Sequence, residues 1–186
     1  MKLGIVGAES YHTRAFAEIA NVFQLIRGVR VTHVWGETEA LAREKARIGR
    51  IPCVVRHPQD MIPQIDAVLL CGRDGRHRLA AAKPFLKAGL PIYADKPLAA
   101  SLADARTLLR LRTKAGVPLL SSSVIPLQAC VGALKKGLGR VGELLGAQLV
   151  GPGDVNSPYS GLWFYAIHLT DLLVELFGPT VRQVQT

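Results

Sequence analysis

Residues 90–97 of this chain read LPIYADKP, an apolar run followed by an acid, an amine and a proline. A short apolar run ends at Asp95, Lys96 and Pro97, and in open parallel sheets ligands bind beyond the carboxyl ends of such strands. Pro97 disfavours helical geometry at Lys96, so the ammonium is presented from a restricted backbone. A solvated turn between a strand and a helix would have a similar sequence. The stretch therefore predicts a strand whose end carries either chemistry or a polar turn.

Working outward, six short apolar runs of this kind alternate with amphipathic stretches. They span residues 2–7, 29–35, 51–55, 66–71, 90–94 and 117–122. Helical spacing predicts helices over 78–87 and 102–111, the second capped by Ser101. In the apolar runs Val, Ile and Leu occupy both the odd and the even positions, which suits strands that are covered on both faces. The pattern predicts an α/β fold, a Rossmann-like doubly wound parallel sheet formed by residues 1–122.

Residues 123–186 follow a different pattern and are predicted to start a short α+β domain for substrate binding or oligomerisation. Helices are expected over 126–138 and 161–177, and strands over 144–150 and 181–186. Two strands with one helix leave unpaired edges and an uncovered apolar face. We therefore expect a homo-oligomer, a symmetric dimer, built through this domain. The alternative is that the missing strands belong to chain outside this sequence.

The composition predicts a globular cytoplasmic protein. Of 186 residues, 49% are hydrophobic, which is enough for a substantial core. The beginning of the chain carries charges too early for a signal peptide, and the apolar window 162–177 is broken by polar residues, so no membrane span is expected. An odd number of cysteines without zinc, haem or CxxC spacing argues against a disulfide framework. These are Cys53, Cys71 and Cys130.

The net charge of +9 comes from arginines and lysines dispersed over predicted helices. Nucleic-acid binding would require a basic stripe with a helix-turn-helix or an aromatic platform, and aromatic residues make up only 6% of the chain. We expect no nucleic-acid partner. An acidic or phosphate-bearing small ligand accounts for the positive potential more simply.

The turn after the first strand reads GIVGAESYH over residues 4–12, where a dinucleotide fold places its phosphate-binding glycines. In G-x-G-x-x-G, the second glycine lets the backbone approach the pyrophosphate, and the third lets the helix pack on the strand. Glu9 and His12 fill those two positions. The helix N-terminus still offers free N–H groups. The residues predicted to contact the cofactor here are Gly7, Ala8, Ser10 and Tyr11.

Two further turns are predicted to border the dinucleotide. After the second strand an acid normally accepts the ribose hydroxyls, but Gly36 takes that place and Glu37 follows it. Either Glu37 serves, or the glycine leaves room for a 2′-phosphate, or the pair is only a turn. After the fourth strand, residues 71–78 gather three arginines and a histidine, which a solvated loop would also explain. The cofactor contacts predicted there are Cys71, Arg73, Asp74 and His77.

The last predicted helix carries His168, Asp171 and Glu175 on one polar stripe. The stripe could face solvent, or bind a metal in a hydrolase that also uses His77. A third possibility is that His168 is a general acid or base, because its ordinary pKa lies near 6.5. No cysteine or further histidine accompanies the stripe, so no metal site is expected.

Four of these motifs occur in the order found in one family. The sequence resembles the Gfo/Idh/MocA oxidoreductases, relatives of glucose–fructose oxidoreductase and inositol dehydrogenase. The motifs are Gly4-x-x-Gly7, the loop ending at His77, Asp95-Lys96-Pro97 and His168-x-x-Asp171. The resemblance implies a Rossmann domain followed by an α+β domain, with NAD or NADP as cofactor. It also implies that a hydroxyl-bearing carbon of a sugar or polyol-like small molecule is oxidised or reduced.

The resemblance implies roles for individual residues as well. The family's Glu-Lys-Pro motif corresponds to Asp95-Lys96-Pro97, so Asp95 and Lys96 would contact the cofactor and Lys96 would orient the reactive hydroxyl. His168 would be the proton acceptor, and the substrate contacts would be Lys96, His168 and Asp171. Phe164 stands where the family often has an aspartate. That difference keeps open a second hypothesis, a non-catalytic relative that binds a ligand or a partner chain.

Overall fold

Six parallel strands form one sheet in the computed structural model, which describes residues 1–185. In chain order they are β1 Lys2–Val6, β2 Arg30–Trp35, β3 Cys53–Val54, β4 Ala67–Leu70, β5 Ile92–Ala94 and β6 Leu119–Leu120. Their order across the sheet is β3-β2-β1-β4-β5-β6. The direction of winding reverses between β1 and β4, where a doubly wound sheet opens its ligand crevice. The predicted fold class of the sheet is confirmed.

Helices cover both faces of this sheet. They are α1 Tyr11–Ala17, continued by a π-helical turn Glu18–Val22, then α2 Glu39–Gly49, α3 Arg78–Lys87 and α4 Leu102–Ala115. Successive side chains of β1 enter opposite hydrophobic clusters, as the alternation of a strand requires. Ile5 packs with Ala17 of α1, whereas Val6 packs with Phe85 of α3 and Leu108 of α4. Both faces of β1 are therefore buried, which fixes the strand in the centre of the sheet.

The predicted helices in this part of the chain agree closely with the observed ones. Helix α3 has the expected limits, and α4 begins where the Ser101 hydroxyl accepts a hydrogen bond from the Asp104 N–H at 3.1 Å. Helix α4 runs four residues beyond its predicted end and stops at Gly116, which has a φ of +68°. A glycine in that left-handed conformation commonly ends a helix.

Residues 123–185 contain two helices, α5 Ala129–Leu138 and α6 Trp163–Phe177. The predicted strands are wrong in the described residues, because 144–150 and 181–185 form no strand; Thr186 lies outside the described residues. Alternating apolar residues become a strand only where another strand pairs with the backbone and a layer covers one face. Here Leu145 is 93% exposed and Val150 is 85% exposed. In the described residues, these two segments have no neighbouring strand with which their backbones could pair.

Within residues 1–185, no helix is both long and apolar enough to cross a membrane. Helix α6, the most apolar of them, has only 15 residues. A spanning helix needs about 20.

Candidate active site

The turn between β1 and α1 is built around Gly7. Its φ is +110°, and a Cβ at this position would collide with the backbone of Gly72, which follows β4. The Gly7 N–H donates to the Trp35 carbonyl at 3.0 Å, and the buried Thr13 hydroxyl donates to the Gly7 carbonyl at 2.6 Å. Only glycine fits here, because the ends of β1, β2 and β4 are drawn together at this point.

The glutamate in place of the second glycine contacts the loop after β4. The Glu9 carboxylate accepts the backbone N–H of Arg73 at 3.0 Å, and the Glu9 N–H donates to the Glu37 carboxylate at 2.9 Å. Ser10 is the N-cap of α1, since its hydroxyl accepts the His12 N–H at 3.1 Å. The charge of Glu9 is therefore held against the loop that follows β4.

Gly36, the residue after β2, also leaves no room for a side chain. A Cβ there would lie 2.5 Å from the Cβ of Ala8, which is itself fully buried. The acid that usually accepts the ribose hydroxyls therefore cannot stand at position 36 in this backbone.

Beyond β5, Asp95 is the buried centre of a hydrogen-bond network. Its carboxylate lies 2.6 Å from Nδ1 of His12 and accepts the Lys96 N–H at 2.9 Å. The Asp95 N–H donates to the Leu70 carbonyl at the end of β4. The peptide bond between Lys96 and Pro97 is cis. The segment that the sequence singled out is thus held to α1 and to β4.

The Lys96 side chain runs from this segment to α6 and is only 8% exposed. Its ammonium donates to the Phe164 carbonyl at 3.2 Å and lies 4.6 Å from the centre of the Phe164 ring. Burial lowers the pKa of Lys96; the charge of Asp95 opposes this shift, and Arg73 and Arg78 reinforce it. Lys96 therefore connects the edge of the sheet with helix α6.

His168 on α6 is oriented by Ser123, which is fully buried just after β6. The Ser123 hydroxyl lies 2.6 Å from Nδ1 of His168 and also accepts the Ile125 N–H. The Ser123 N–H in turn donates to the Asp171 carboxylate at 2.8 Å. Burial and the positive charge of Lys96 lower the pKa of His168, while Asp171 partly opposes them. These effects favour a neutral imidazole that can accept a proton.

Lys96 and His168 line the same cavity of about 710 Å³. The cavity lies at the carboxyl edge of the sheet, between α1, the ends of β4 and β5, and α6. The predicted site residues that line it are Ser10, Tyr11, Arg73, Asp95, Lys96 and His168. Its aromatic and aliphatic walls come from Phe16, Tyr93, Val124, Ile125, Leu127, Phe164 and Tyr165.

The other predicted site residues do not line this cavity. They are Gly7, Ala8, Gly36, Glu37, Cys71, Asp74, His77 and Asp171. The carboxylate of Asp171 supports Ser123 and lines a neighbouring cavity of about 280 Å³, which Lys96 also borders. Cys71 is fully buried, and burial raises the pKa of its thiol to about 12, with Asp95 adding to the shift. The Cys71 thiol therefore stays protonated.

Two charged residues of the loop after β4 contact residues 123–185. The Arg73 guanidinium stacks 4.0 Å from the centre of the Tyr159 ring and donates to its hydroxyl at 3.2 Å. Asp74 accepts hydrogen bonds from Arg76 and from the Ser160 hydroxyl. Burial alone would raise the pKa of Asp74, but these bonds outweigh it and hold the pKa well below its usual range.

His77 is exposed at the end of a short 3₁₀ turn, Gly75–His77, and does not line the cavity with His168. Among the residues that the structure describes, no three His, Cys, Asp or Glu side chains converge as metal ligands. The hydrolase hypothesis, which needed His77 beside His168 and Asp171, has no geometry to support it.

The sequence did not identify three residues that organise the site. In the sequence His12 stood out only as the residue in place of the third glycine, although its position at the start of α1 brings it to Asp95. Ser123 follows the last strand, and that position at the sheet edge was the available signal. Arg78, only 2% exposed, donates to the carbonyls of Leu70 and Gly72, and its Nε has no partner within the described residues.

Comparison with known protein families identifies the family of this chain. The family described as an oxidoreductase family with an NAD-binding Rossmann fold, GFO_IDH_MocA, matches residues 1–122. The chain belongs to this family. The predicted family and, at the level of the family, the nicotinamide cofactor are confirmed. Comparison with curated protein sequences finds none that matches significantly.

Solved structures extend the similarity beyond residue 122. Biliverdin reductase from Synechocystis sp. PCC 6803, solved with biliverdin and NADP⁺, is 25% identical with a TM-score of 0.74 over 98% of this chain and 59% of its own. Myo-inositol 2-dehydrogenase from Lactobacillus plantarum is 15% identical with a TM-score of 0.81. Scyllo-inositol dehydrogenase from Lactobacillus casei, solved with NAD(H) and scyllo-inositol, is 15% identical with a TM-score of 0.77.

Each of the two dehydrogenase alignments covers 96% of this chain and 56% of the other. At this identity the two dehydrogenases show a shared fold and no more. The chain spans just over half the length of these three relatives.

The altered glycine turn fits a dinucleotide on its geometry. Gly7 keeps the close approach of strand ends that a dinucleotide-binding turn requires, while its own N–H and that of Glu9 donate to the Trp35 carbonyl and the Glu37 carboxylate. A Cβ on Gly72 would meet nothing within 4 Å, so the space beside the turn is open. The Glu9 carboxylate, which would repel a pyrophosphate, is bonded to the Arg73 N–H instead. The residues present are compatible with the cofactor of the family.

Proposed function

We propose that this chain is an NAD(P)-dependent oxidoreductase acting on a hydroxyl-bearing carbon of a sugar or polyol-like substrate. The observation that carries the proposal is that Lys96 and His168, which are distant in sequence, line one cavity at the carboxyl edge of the sheet. Perturbed ionisable groups that meet in a cleft are typical of active sites.

In the proposed mechanism, the Lys96 ammonium binds the reacting oxygen of the substrate and stabilises negative charge on it. His168, kept neutral by burial and by the nearby ammonium, accepts the hydroxyl proton. The carbon loses a hydride, so that the alcohol becomes a carbonyl. A bound nicotinamide supplies the hydride acceptor. Ser123 holds the imidazole ring through Nδ1, which leaves Nε2 as the atom for proton transfer.

We propose that the dinucleotide lies along the turns that contain Gly7, Gly36 and Gly72, where Gly72 borders open space. Ala8 and Cys71 are fully buried, backbone included, so each would shape the turns beneath the dinucleotide. Ser10, Tyr11 and Arg73 line the cavity and would contribute side chains. The remaining proposed contacts are Glu37, Asp74, His77 and Asp95.

The test is turnover of a panel of cyclitols and sugars with NAD⁺ and with NADP⁺. Replacing His168 with Asn keeps hydrogen bonding but removes the base, and we expect kcat to fall by about 10²–10⁴. Lys96→Ala should also lower kcat far more than it weakens cofactor binding, because the role of Lys96 lies in the transition state. Lys87→Ala, exposed on α3, is the control. Unchanged kcat in His168→Asn would exclude His168 as the proton acceptor.

A second substrate class belongs in the panel because the cavity walls are largely aromatic and aliphatic. The two carboxylates that line it, Glu9 and Asp95, are already bonded to Arg73, His12 and the Lys96 N–H. Few acceptors remain for several polyol hydroxyls. Biliverdin, the ligand of the Synechocystis relative, is a suitable test compound with a large conjugated surface, and because it would be reduced it is assayed with NADH and NADPH.

The second candidate function is a non-catalytic member of the family that binds a ligand or partner. Glu9 and His12 in the glycine turn, and Phe164 in place of the aspartate, favour it. The discriminating result is nucleotide binding without turnover of any panel compound.

We also propose that residues 123–186 act as the substrate-binding and oligomerisation domain. Several of its apolar side chains are exposed, among them Leu127 at 76% and Leu145 at 93%. Exposed apolar groups of this kind favour association. Light scattering across a concentration series should show a dimer. A monomer at high concentration, with no dye-accessible apolar surface, would contradict this proposal.

A further inference from the structure

A second cavity, of about 360 Å³, opens at the carboxyl ends of β2 and β3, apart from the one that Lys96 lines. Gly36 lies at its base, Glu39 and Arg43 border it from α2, and Arg56 borders it from the segment after β3. In a dinucleotide fold the adenosine ribose lies beyond the end of the second strand. The charged groups of this cavity therefore surround the place where the ribose 2′ position would be.

The acid that selects an unmodified ribose is missing from this place. Residue 36 has to be glycine, because a Cβ would lie 2.5 Å from the Cβ of Ala8. The next residue, Glu37, does not line the cavity, and its carboxylate accepts the Glu9 N–H at 2.9 Å. The carboxylate of Glu39 accepts hydrogen bonds from Nε and Nη2 of Arg43 at 2.8 and 2.5 Å. The negative charge of Glu39 is therefore already paired.

Positive charge remains after this pairing. Arg56 is exposed and forms no ion pair within residues 1–185, so the cavity keeps one uncompensated guanidinium. Arg43 borders the same cavity, and its Nη1 forms no hydrogen bond within residues 1–185. Guanidinium groups match the oxygens of a phosphate monoester in geometry as well as in charge. A ribose hydroxyl would gain little from two arginines, whereas a phosphate would gain from both.

We propose that this cavity binds the 2′-phosphate of an adenosine ribose, through Arg43 and Arg56, so that the chain selects NADP(H) over NAD(H). The proposal rests on the proposed function, because it assumes that the dinucleotide lies along the carboxyl edge of the sheet.

Calorimetric titration of the full chain with adenosine 2′,5′-bisphosphate and with AMP isolates this site from the nicotinamide. We expect the bisphosphate to bind at least about tenfold tighter, since charge-assisted bonds to one phosphate account for such a factor. In the double variant Arg43→Gln/Arg56→Gln the ratio of affinities should fall towards one. Arg47→Gln is the matched control, because Arg47 is exposed on the same helix and does not line the cavity.

Three results would overturn the proposal: equal affinities for the two nucleotides, a preference that survives in the double variant, or a preference for AMP that Glu39→Gln abolishes. Nicotinamide fluorescence with NADH and NADPH separates this failure from that of the proposed function. If both dinucleotides bind alike, the proposed function stands and the phosphate site does not exist. If neither binds, both proposals fail.

Discussion

At the scale of single residues, the charge of Lys96 and the ionisation of His168 are coupled through the cavity that both side chains line. Burial is the main reason why the pKa of His168 lies below its ordinary value, and the Lys96 ammonium adds to the shift. In Lys96→Met the neighbouring positive charge is lost, so we expect the pKa of His168 to rise. An NMR titration of the imidazole protons measures it directly.

The control for this titration is Lys87→Met, which removes an exposed lysine from α3 and should leave the pKa of His168 unchanged. A pKa of His168 that stays the same or falls in Lys96→Met would contradict the electrostatic coupling. The lowered pKa of His168 would then have to come from burial and from the nearby His12.

The lowered pKa of His168 also predicts how the stability of the fold depends on pH. Because the pKa of His168 is lower in the folded chain than its unfolded value near 6.5, the unfolded chain binds the proton more readily. The contribution of His168 is therefore lost as the pH falls from about 6.5 through the folded pKa. His168→Gln cannot titrate, so its free energy of unfolding should fall less over that range than that of the wild type.

Urea unfolding at pH 7.5 and at successively lower pH tests this difference, with His57→Gln, an exposed histidine outside the cavity, as control. If His168→Gln and the wild type lose the same stability between these pH values, His168 is not held neutral by the fold.

At the scale of secondary structure, the turn from β1 to α1 determines whether the strand ends can meet. In Gly7→Ala the new Cβ would lie 2.6 Å from the Cα of Gly72 and would require a φ of +110°. Strain and overlap together should cost about 2–4 kcal/mol of the free energy of unfolding. Chemical denaturation measures the loss.

Gly72→Ala is the matched variant on the opposite side of this contact. Its Cβ would meet nothing within 4 Å, and we expect a change of no more than about 0.5 kcal/mol. Equal stability of Gly7→Ala and the wild type would show that the strand ends do not approach as closely as described.

The elements of residues 1–122 could be predicted because their signals are local. Apolar runs between helical repeats marked the strands, and Ser101 and Gly116 marked the ends of α4. The strands expected at 144–150 and 181–186 could not be judged in this way. A strand depends on a neighbour that pairs with its backbone, and no local pattern shows whether that neighbour exists.

The candidate site was predictable only in part, for a related reason. Lys96 and His168 could be predicted because each belongs to a short sequence motif, and the structure brings both to one cavity. His12 and Ser123 belong to the site because they contact Asp95 and His168 across the fold. Such contacts between distant residues leave no periodic signal in the sequence.

At the scale of the whole molecule, the central claim is that a nicotinamide dinucleotide binds at the carboxyl edge where Lys96 and His168 meet. A ligand that binds only the folded chain stabilises it by about 2.7 kcal/mol at a concentration one hundred times its Kd. For a chain of this size each kcal/mol raises the melting temperature by about 2–4 °C.

The most direct measurement is the melting temperature of the chain with millimolar NADPH and, separately, with millimolar NADH. We expect NADPH to raise the melting temperature by several degrees and NADH to raise it less. If neither nucleotide raises the melting temperature, the chain binds no nicotinamide dinucleotide at this edge, and the proposed function is contradicted.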